Sequence, residues 1–243
     1  MRGVSNFLSN LLRKILLIKS LRIFLCLFRY LVFRKVFKIN KKFIEPQKKE
    51  LGIRTFDHNY KNMLHSIFKH DRLHRLLRPM MAIDKVLENK TSMKVLSIGP
   101  RSEAELFLIN GYGFKWKNID AIDLFSYSPK INVGDMHEIP FNDNSYDLII
   151  NGWCLGYSSN QKKALSEMLR VVKNDGIIAI GQGHVVKNER KVILGVEKIT
   201  NKISEIVKPI NKNINQFFFT HEISKKMEKR GERLIAIIFS IKK

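Results

Sequence analysis

Five short β-rich runs alternate with helical patterns between residues 93 and 183, and this alternation constrains the fold more than any other feature. The runs are Met93–Ile98, Ile119–Leu124, Ile131–Val133, Tyr146–Ile150 and Ile177–Ile180. Strands and helices that alternate at this interval form βαβ units, which build a mainly parallel sheet. The expected fold class is therefore α/β, with a doubly wound, mainly parallel sheet and a basic helical extension at the N-terminus.

Polar residues at helix starts and glycines at helix ends predict the connecting elements. Ser102 and Glu105 have the spacing of a capping box, and Ser158 or Ser159 is expected to cap a helix that continues to Val172. Further along, Thr220 is expected to begin a helix that ends near Gly231. Closing strands are predicted at Leu234–Ile241 and around residues 217–219.

In a doubly wound sheet, ligands bind beyond the carboxyl ends of the strands, near the point where the strand order reverses. The segments that follow the predicted strands are therefore the candidate site. They are residues 99–103, Asp123, Asp135 and residues 151–157.

Residues 93–183 resemble the core of class I S-adenosylmethionine-dependent methyltransferases, in particular the small type-11 group. The resemblance is carried by Val95-Leu-Ser-Ile-Gly99, Ile122-Asp-Leu124, Gly134-Asp-Met-His-Glu-Ile-Pro-Phe141, Asn144-Ser-Tyr-Asp-Leu-Ile-Ile150 and Met168-Leu-Arg-Val-Val-Lys-Asn-Asp-Gly176. The last three blocks, in this order and spacing, are the specific part. The resemblance implies a Rossmann-like methyltransferase fold, S-adenosylmethionine as the cofactor, and methyl transfer to an acceptor that the sequence does not identify.

The resemblance also implies roles for particular residues. Asp123 is expected to accept the two ribose hydroxyls, Asp135 to meet the adenine amino group, and Met136 to pack near the adenine ring. The full set expected to bind the cofactor is Gly99, Pro100, Arg101, Glu103, Asp123, Leu124, Asp135, Met136 and Asn151. Trp153 and Tyr157 are expected on the acceptor side, and His137 and Tyr157 are the candidate catalytic residues. In-line methyl transfer depends mainly on positioning, so a dedicated base is not required.

The first motif departs from the family pattern of an acid and three glycines. Ser97 stands at the acid position, Gly99 is the first glycine, and Arg101 and Glu103 occupy the other two. Glycines there ordinarily let the backbone approach the ligand closely, so side chains in their place bring cofactor binding into question. The alternatives are that Arg101 pairs with the cofactor's carboxylate and Glu103 or Glu105 with its ammonium, or that the domain no longer binds cofactor.

The net charge of +22 is concentrated at the two ends of the chain. Residues 1–50 carry 13 basic and 2 acidic groups, whereas residues 94–183 carry 9 and 10. Residues 1–44, which contain no acidic group, combine apolar bulk with basic side chains, a composition typical of an interfacial anchor on anionic lipid. No uncharged run within residues 7–37 exceeds six residues, which disfavours a transmembrane helix. The open alternatives are a basic helix packed on its own domain or a partner, and an arm that binds RNA.

Residues 45–92 are expected to form a linker and a helical cap, with helices over 59–77 and from Pro79 to about Asn89. His65, His70 and His74 lie close together there, but the surrounding basic residues argue against a metal site, and none is expected. Residues 93–243 form the methyltransferase-like domain, with a basic insertion at 187–216. Two cysteines, Cys26 and Cys154, are too few for a disulfide framework and favour a reducing compartment.

The sequence therefore predicts a cytoplasmic methyltransferase, held peripherally at the inner membrane by residues 1–44, that acts on a membrane-presented glycan or lipid precursor or another small molecule. Its rival is a non-catalytic methyltransferase-like domain that serves as a membrane-associated interaction module. An RNA methyltransferase is disfavoured by the net charge of −1 in residues 94–183. Nothing in the sequence sets the oligomeric state.

Overall fold

The computed structural model describes residues 11–36, 42–43, 63–68, 71–184 and 201–243. Residues 11–17 are helical, and the helices that follow are α1 Lys19–Lys35, α2 Met63–Phe68, α3 His74–Met80, α4 Asp84–Asn89, α5 Glu103–Gly111, α6 Gln161–Val171, α7 Ile203–Val207 and α8 Lys225–Lys229. The strands are β1 Lys42–Phe43, β2 Val95–Ile98, β3 Ile119–Asp123, β4 Phe125–Ser126, β5 Asn132–Val133, β6 Tyr146–Gly152, β7 Val172–Gly183, β8 Ile214–His221 and β9 Leu234–Ile241. Short 3-10 turns lie at Asp71–Leu73, Trp116–Asn118, Leu155–Tyr157 and Lys208–Asn213.

Seven strands form one sheet in the order β5-β3-β2-β6-β7-β9-β8. Strands β5, β3, β2, β6 and β7 pair in parallel, whereas β9 runs antiparallel to both β7 and β8. From β2 the chain first adds strands on one side and then crosses to β6 on the other. The order therefore reverses between β2 and β6, which is where such sheets bind ligands. The predicted doubly wound, mainly parallel sheet is confirmed.

Two apolar cores cover the two faces of this sheet, because its central strands are apolar on both sides. One core joins α3, α4 and α5 to residues such as Val95, Leu148 and Ala236. The other joins α6 and α7 to residues such as Leu96 and Ile149. Ile203, Ile206 and Val207 of α7 are buried in the second core. The described part of the expected 187–216 insertion is therefore a component of the domain; residues 185–200 lie outside the described residues.

Helix α1 packs on the domain through its own apolar and aromatic stripe. Cys26, Tyr30 and Phe33 are buried in a third cluster with Phe107 of α5 and with Tyr127. The Cys26 sulfur lies 3.2 Å from the Tyr127 hydroxyl, and burial raises the pKa of this thiol to about 12. The alternative that the basic helix packs on its own domain therefore holds for the described part of residues 1–44.

Two arginines of α1 point inward and bind carboxylates of the domain. Arg29 donates from Nε and Nη2 to the two carboxylate oxygens of Glu103, at 2.6 and 3.0 Å, and the Glu103 side chain is 0% exposed. Ser128 Oγ donates to the same carboxylate. The fully buried Arg22 donates to the Leu16 carbonyl at 2.7 Å and to Asp71 at 3.2 Å. Removing the Arg29 guanidinium would leave a buried negative charge without its cation.

The opposite face of α1 is apolar and exposed. Phe24 is 68% exposed and Phe28 is 56% exposed, and Leu21 and Leu31 lie on the same side one turn away in either direction. Among the described residues, no helix is both long and apolar enough to cross a lipid bilayer. The basic residues thus divide between inward ion pairs and exposed positions, and they do not form one charged stripe.

The predicted helix boundaries between residues 63 and 89 were wrong. Pro79 does not open a helix; it lies in the last turn of α3, and the chain makes a turn before α4 begins at Asp84. This proline removes one i→i−4 hydrogen bond from the last turn, and the helix ends one residue later. The predicted helix over residues 59–77 is divided into α2, a 3-10 turn and α3, and His70 and residues 44–62 lie outside the described residues.

Two predicted helix starts were also wrong, namely those at Ser158 or Ser159 and at Thr220, whereas α5 begins directly after Ser102 as expected. Asn160 caps α6 by accepting from the Lys163 N–H at 3.0 Å. Ser158 does not cap it, because its hydroxyl binds a histidine instead. Ser102 precedes α5 but makes no side-chain cap bond, so the expected capping box does not form. Thr220 belongs to β8, which confirms the second closing strand around 217–219, and Ser224 caps α8.

The Arg29–Glu103 ion pair predicts a large and specific loss of stability. Replacing Arg29 by Met should lower the free energy of unfolding by about 3 kcal/mol or more, because the Glu103 carboxylate would stay buried without its cation. The second change Glu103→Gln should restore most of that loss. Urea denaturation of the full chain at pH 7 measures both variants. Lys35→Met, an exposed change on the same helix, is the control and should shift stability by under about 0.5 kcal/mol; an equal cost for Arg29→Met and Lys35→Met would contradict the assignment.

Candidate functional site

A cavity of about 640 Å³, including its open mouth, lies at the carboxyl ends of β2, β3, β5 and β6. It occupies the point where the strand order reverses, as the sequence predicts. Its walls come from the loops that follow these strands and from one residue of the N-terminal helical region. The lining residues are Arg72, Ile98, Gly99, Arg101, Ile122, Asp123, Leu124, Gly134, Asp135, Met136, His137, Trp153, Cys154 and Tyr157.

The loop after β2 contains a single glycine, but two of its residues, Gly99 and Arg101, have the positive φ angles that glycine favours. Gly99 has φ +73°, and a Cβ on it would come within 2.8 Å of the Cys154 side chain, so a side chain is excluded there. Arg101 has φ +52°, the left-handed region that glycine adopts without cost. The second glycine position of the motif therefore has a backbone conformation that glycine favours, and the Arg101 side chain lines the cavity.

The Glu103 side chain does not line the cavity. It is fully buried on the far side of the loop and binds Arg29 and Ser128. The position of Glu103 therefore does not support the expectation that it binds the cofactor's ammonium, because this carboxylate does not line the cavity and is already paired with Arg29 of α1. For the same reason, a side chain at the third glycine position does not obstruct the cavity.

Asp123 ends β3 with its carboxylate on the cavity wall. Its Oδ2 accepts a hydrogen bond from the Arg101 N–H at 2.9 Å, which ties the β2 and β3 loops together. Burial raises the pKa of Asp123 to about 6, although hydrogen bonds from the backbone N–H groups of Arg101, Leu124 and Phe125 oppose the shift. Asp123 is therefore largely ionised at pH 7, and its carboxylate is able to accept hydrogen bonds from a bound ligand.

Asp135, His137 and Ser158 form a hydrogen-bonded chain at the mouth of the cavity. The His137 Nδ1 lies 2.7 Å from Asp135 Oδ1, and its Nε2 lies 2.7 Å from Ser158 Oγ. Burial alone would raise the pKa of Asp135, but hydrogen bonds from the side chain and backbone of His137 outweigh it and hold the pKa below its ordinary value. The two ring nitrogens of His137 are both engaged, so this histidine orients the loop after β5.

Trp153 contacts a glycine and an arginine. Its ring lies against Gly181, where a Cβ would come within 2.8 Å of the indole, and the Arg72 guanidinium lies over the ring, 5.5 Å from its centroid. Tyr157 follows one turn later and is half-buried on the cavity wall. Cys154 also lines the cavity, where its thiol contacts the Ile98 carbonyl and Asn151. Burial raises the pKa of this thiol to about 12, so it stays protonated.

Glu105 is buried next to Arg72 and Gly152. Its Oε1 lies 3.7 Å from the Arg72 guanidinium. Burial raises the pKa of Glu105 to about 7, while the charges of Arg72 and Arg101 oppose that shift. The expected alternative that Glu105 meets a ligand ammonium is not supported by its position, because Glu105 does not line the cavity.

Most of the predicted site residues converge on this one cavity. Those that line it are Gly99, Arg101, Asp123, Leu124, Asp135, Met136, His137, Trp153 and Tyr157. Pro100, Glu103 and Asn151 do not. Asn151 is fully buried, and its Oδ1 accepts from the Leu155 N–H at 3.1 Å. This amide shapes the turn after β6 and does not face the cavity.

The sequence reasoning missed Arg72, Ser158 and Arg29. Arg72 precedes α3, outside the segment that carries the resemblance, and only the tertiary fold brings it to the cavity. Ser158 was interpreted as a helix cap, and its proximity to His137 could not be inferred from separation along the chain. Within the described residues, no group of three metal-ligating side chains occurs, and His74 binds the Tyr112 hydroxyl at 2.7 Å.

Comparisons with known proteins agree with this geometry. Residues 115–180 match the methyltransferase domain family. The fold resembles a chain of the Haloferax volcanii complex that contains the Trm112 methyltransferase activator, with 12% identity, coverage of 77% of this chain and 97% of that chain, and a TM-score of 0.59. It also resembles the N-methyltransferase NodS from Bradyrhizobium japonicum WM9, with 12% identity, coverage of 78% and 100%, and a TM-score of 0.55. The PH0226 protein from Pyrococcus horikoshii OT3 is also similar, with 14% identity, coverage of 72% of this chain and 92% of that chain, and a TM-score of 0.51.

A search of curated proteins gives no significant match to this chain. The matched domain lies within the sheet that builds the cavity, and the resemblance to these solved structures extends to the whole α/β fold. Residues 115–180 are thus similar to the methyltransferase domain family, and the α/β fold that surrounds them is shared with solved methyltransferases.

Proposed function

We propose that the cavity binds S-adenosylmethionine and that the protein transfers its methyl group to a small-molecule acceptor. One observation carries this proposal: the Asp123 carboxylate stands on the cavity wall at the end of β3, beside the point where the strand order reverses. A carboxylate there is able to accept two hydrogen bonds from a ribose diol. The similarly folded NodS protein is in complex with S-adenosylhomocysteine, which supports the same ligand class here.

The remaining wall supplies groups for the other parts of the cofactor. Asp135, whose Oδ1 is occupied by His137, is assigned to the adenine amino group, and the apolar side chains of Ile122, Leu124 and Met136 to the adenine ring. The Arg101 guanidinium is assigned to the carboxylate of the methionine end, because its planar fork suits that group. Asp123, Asp135 and Arg101 thus lie at the carboxyl ends of three different strands, and one bound ligand would contact all three.

The acceptor side is assigned to Trp153 and Tyr157. Trp153 is held by Gly181 and Arg72, so it presents a fixed aromatic wall beside the cofactor position. Cofactor chemistry supplies an electrophilic methyl group, and holding the acceptor in line with it is the main task of these side chains. Because both nitrogens of His137 are engaged, Tyr157 is the stronger candidate to contact the acceptor.

We further propose that the protein works at an anionic membrane surface, with the exposed face of α1 against the lipid. Phe24, Phe28 and their apolar neighbours form a face that no described residue covers. The exposed Lys14 and Lys35 lie toward the two ends of the helical segment, which suits attraction to anionic headgroups. An acceptor that is itself a lipid or a lipid-linked glycan precursor would be presented there.

Calorimetric titration of S-adenosylmethionine into the full chain tests cofactor binding. Asp123→Asn should weaken binding by at least about tenfold, because the amide replaces one acceptor oxygen by a donor. For the parent protein, affinity should fall as the pH is lowered through about 6, since protonation of Asp123 removes the same acceptor. The Asp123→Asn variant should lack this pH dependence. Glu88→Gln, an exposed change in α4, is the control; absence of binding by the parent at millimolar cofactor would instead support the non-catalytic module.

Arg101→Gly separates a binding role from an obstructing one. Glycine suits φ +52°, so thermal stability should be unchanged or higher, because a left-handed conformation costs an L-residue about 1 kcal/mol. Cofactor affinity should nevertheless fall by about tenfold, because the guanidinium that binds the carboxylate is gone. Asp175→Gly relieves a similar positive φ outside the cavity and should leave affinity unchanged. Tighter binding by Arg101→Gly would mean that the side chain blocks the site.

Flotation of the full chain with vesicles tests the membrane proposal. Vesicles rich in phosphatidylglycerol should carry the parent protein to the top of a gradient, and the double change Phe24→Gln and Phe28→Gln should reduce that fraction several-fold. The control is Leu87→Gln with Phe217→Gln, which removes two exposed apolar side chains elsewhere. Equal flotation of all three proteins, or salt-dependent RNA binding without flotation, would contradict the assignment.

A further inference from the structure

A second cavity, of about 560 Å³ including its open mouth, lies between α3 and the adjacent ends of β8 and β9. It shares no lining residue with the cavity assigned to the cofactor. Its lining residues are His74, Arg75, Arg78, Pro79, Phe219, His221 and Ala236. Four of these seven side chains are basic types and none is acidic, which indicates a ligand of negative charge.

The two arginines of this cavity are free to bind a ligand. Arg75 and Arg78 are three residues apart on α3, so their side chains share one face of the helix. Within the part of the chain that the structure describes, neither forms an ion pair or a side-chain hydrogen bond, in contrast to Arg22, Arg29 and Arg170. Two unpaired guanidiniums beside one cavity are suited to bidentate contacts with a tetrahedral oxyanion.

The wall opposite the arginines carries a buried polar atom without a partner. The Nε2 atom of His221 is shielded from solvent and has no hydrogen bond among the described residues. Buried polar groups are almost always satisfied, so this nitrogen indicates a missing ligand group. His74, on the helix side, already binds Tyr112, and burial together with the charges of Arg22 and Arg78 lowers its pKa.

Strand register relates this cavity to the proposed acceptor side. Gly152 pairs with Gly181, Gly181 pairs with Ala236, and Ala236 pairs with His221. These residues form one row across the sheet, and Trp153 lies against Gly181 in the middle of it. At a strand spacing of about 4.8 Å, the second cavity lies roughly 10–15 Å from the end of β6. A molecule of modest size can span that distance.

We propose that this cavity binds the phosphate group of a phosphate monoester, and that this group anchors the methyl acceptor. The site itself is inferred from its own side chains, whereas its use by the acceptor rests on the proposed methyl transfer. Arg75 and Arg78 bind the phosphate oxygens, His221 makes a hydrogen bond from the sheet side, and Phe219 packs against the carbon part of the ester. The phosphate comes from a soluble metabolite or from a lipid headgroup, and the two sources share this chemistry.

The test measures phosphate binding by the full chain without cofactor. Glycerol 3-phosphate is titrated calorimetrically at constant ionic strength, with inorganic phosphate and a short-chain phosphatidic acid below its micellar concentration as parallel ligands. The double change Arg75→Gln and Arg78→Gln should weaken binding of the esters by at least about tenfold. The matched control, Lys162→Gln with Lys226→Gln, removes two exposed charges elsewhere and should leave binding unchanged. Preference for phosphatidic acid over glycerol 3-phosphate assigns the lipid source, and the reverse preference assigns the soluble one.

A second readout locates the ligand within the protein. The imidazole resonances of His221 should shift on addition of glycerol 3-phosphate, and His221→Gln should weaken binding several-fold while the fold, followed by circular dichroism, is retained. Equal weakening by the arginine and lysine double variants would overturn the proposal, because it would show only attraction to the net charge of +22. Absence of binding at 10 mM would overturn it as well. Because cofactor is omitted, the two titrations are independent. Absence of phosphate binding does not contradict the proposed cofactor site, and absence of S-adenosylmethionine binding does not contradict the phosphate site.

Discussion

The ion pair between Arg29 and Glu103 is the interaction on which the rest of the structure depends. It neutralises a fully buried carboxylate at the third glycine position of the first motif, and it holds α1 against α5. A carboxylate at that position would be costly in a chain without the N-terminal helix, because an unpaired buried charge is strongly destabilising. The altered motif and the N-terminal extension are therefore two parts of one arrangement, which leaves the loop after β2 open toward the cavity.

Helix α1 has two faces with different tasks. Its inner face combines Cys26, Tyr30 and Phe33 with two arginines that bind carboxylates of the domain. Its outer face presents Phe24 and Phe28 to the surroundings. Large apolar side chains that stay exposed on one helix face indicate a surface that contacts something other than the described part of this chain. The proposed lipid surface would fix the cavity mouths relative to the membrane plane.

The alternation of strands and helices was sufficient to predict the sheet and the position of the cavity, because ligand position in this fold follows from strand order. Asp123 and Asp135 were predicted from their places after strands, and both line the cavity. Glu103 was expected at the cofactor's ammonium, but it pairs with Arg29, and a partner 74 residues away along the chain could not be inferred from the sequence. Ser158 and Asn160 compete as helix caps, and the hydroxyl of Ser158 is taken by His137, which only the folded structure reveals. The paired arginines of α3 were missed because α3 and β8 are adjacent only in the fold.

The central claim is that a motif with one glycine still forms a cofactor site, because the two side chains that replace glycines point away from the ligand or bind it. A crystal structure of the full chain with S-adenosylhomocysteine tests this claim most directly. We expect the ribose hydroxyls within hydrogen-bond distance of the Asp123 carboxylate, the Arg101 guanidinium on the ligand carboxylate, and the Arg29–Glu103 pair unchanged. A ligand bound elsewhere, or Glu103 displaced from Arg29 to contact the ligand, would contradict the account.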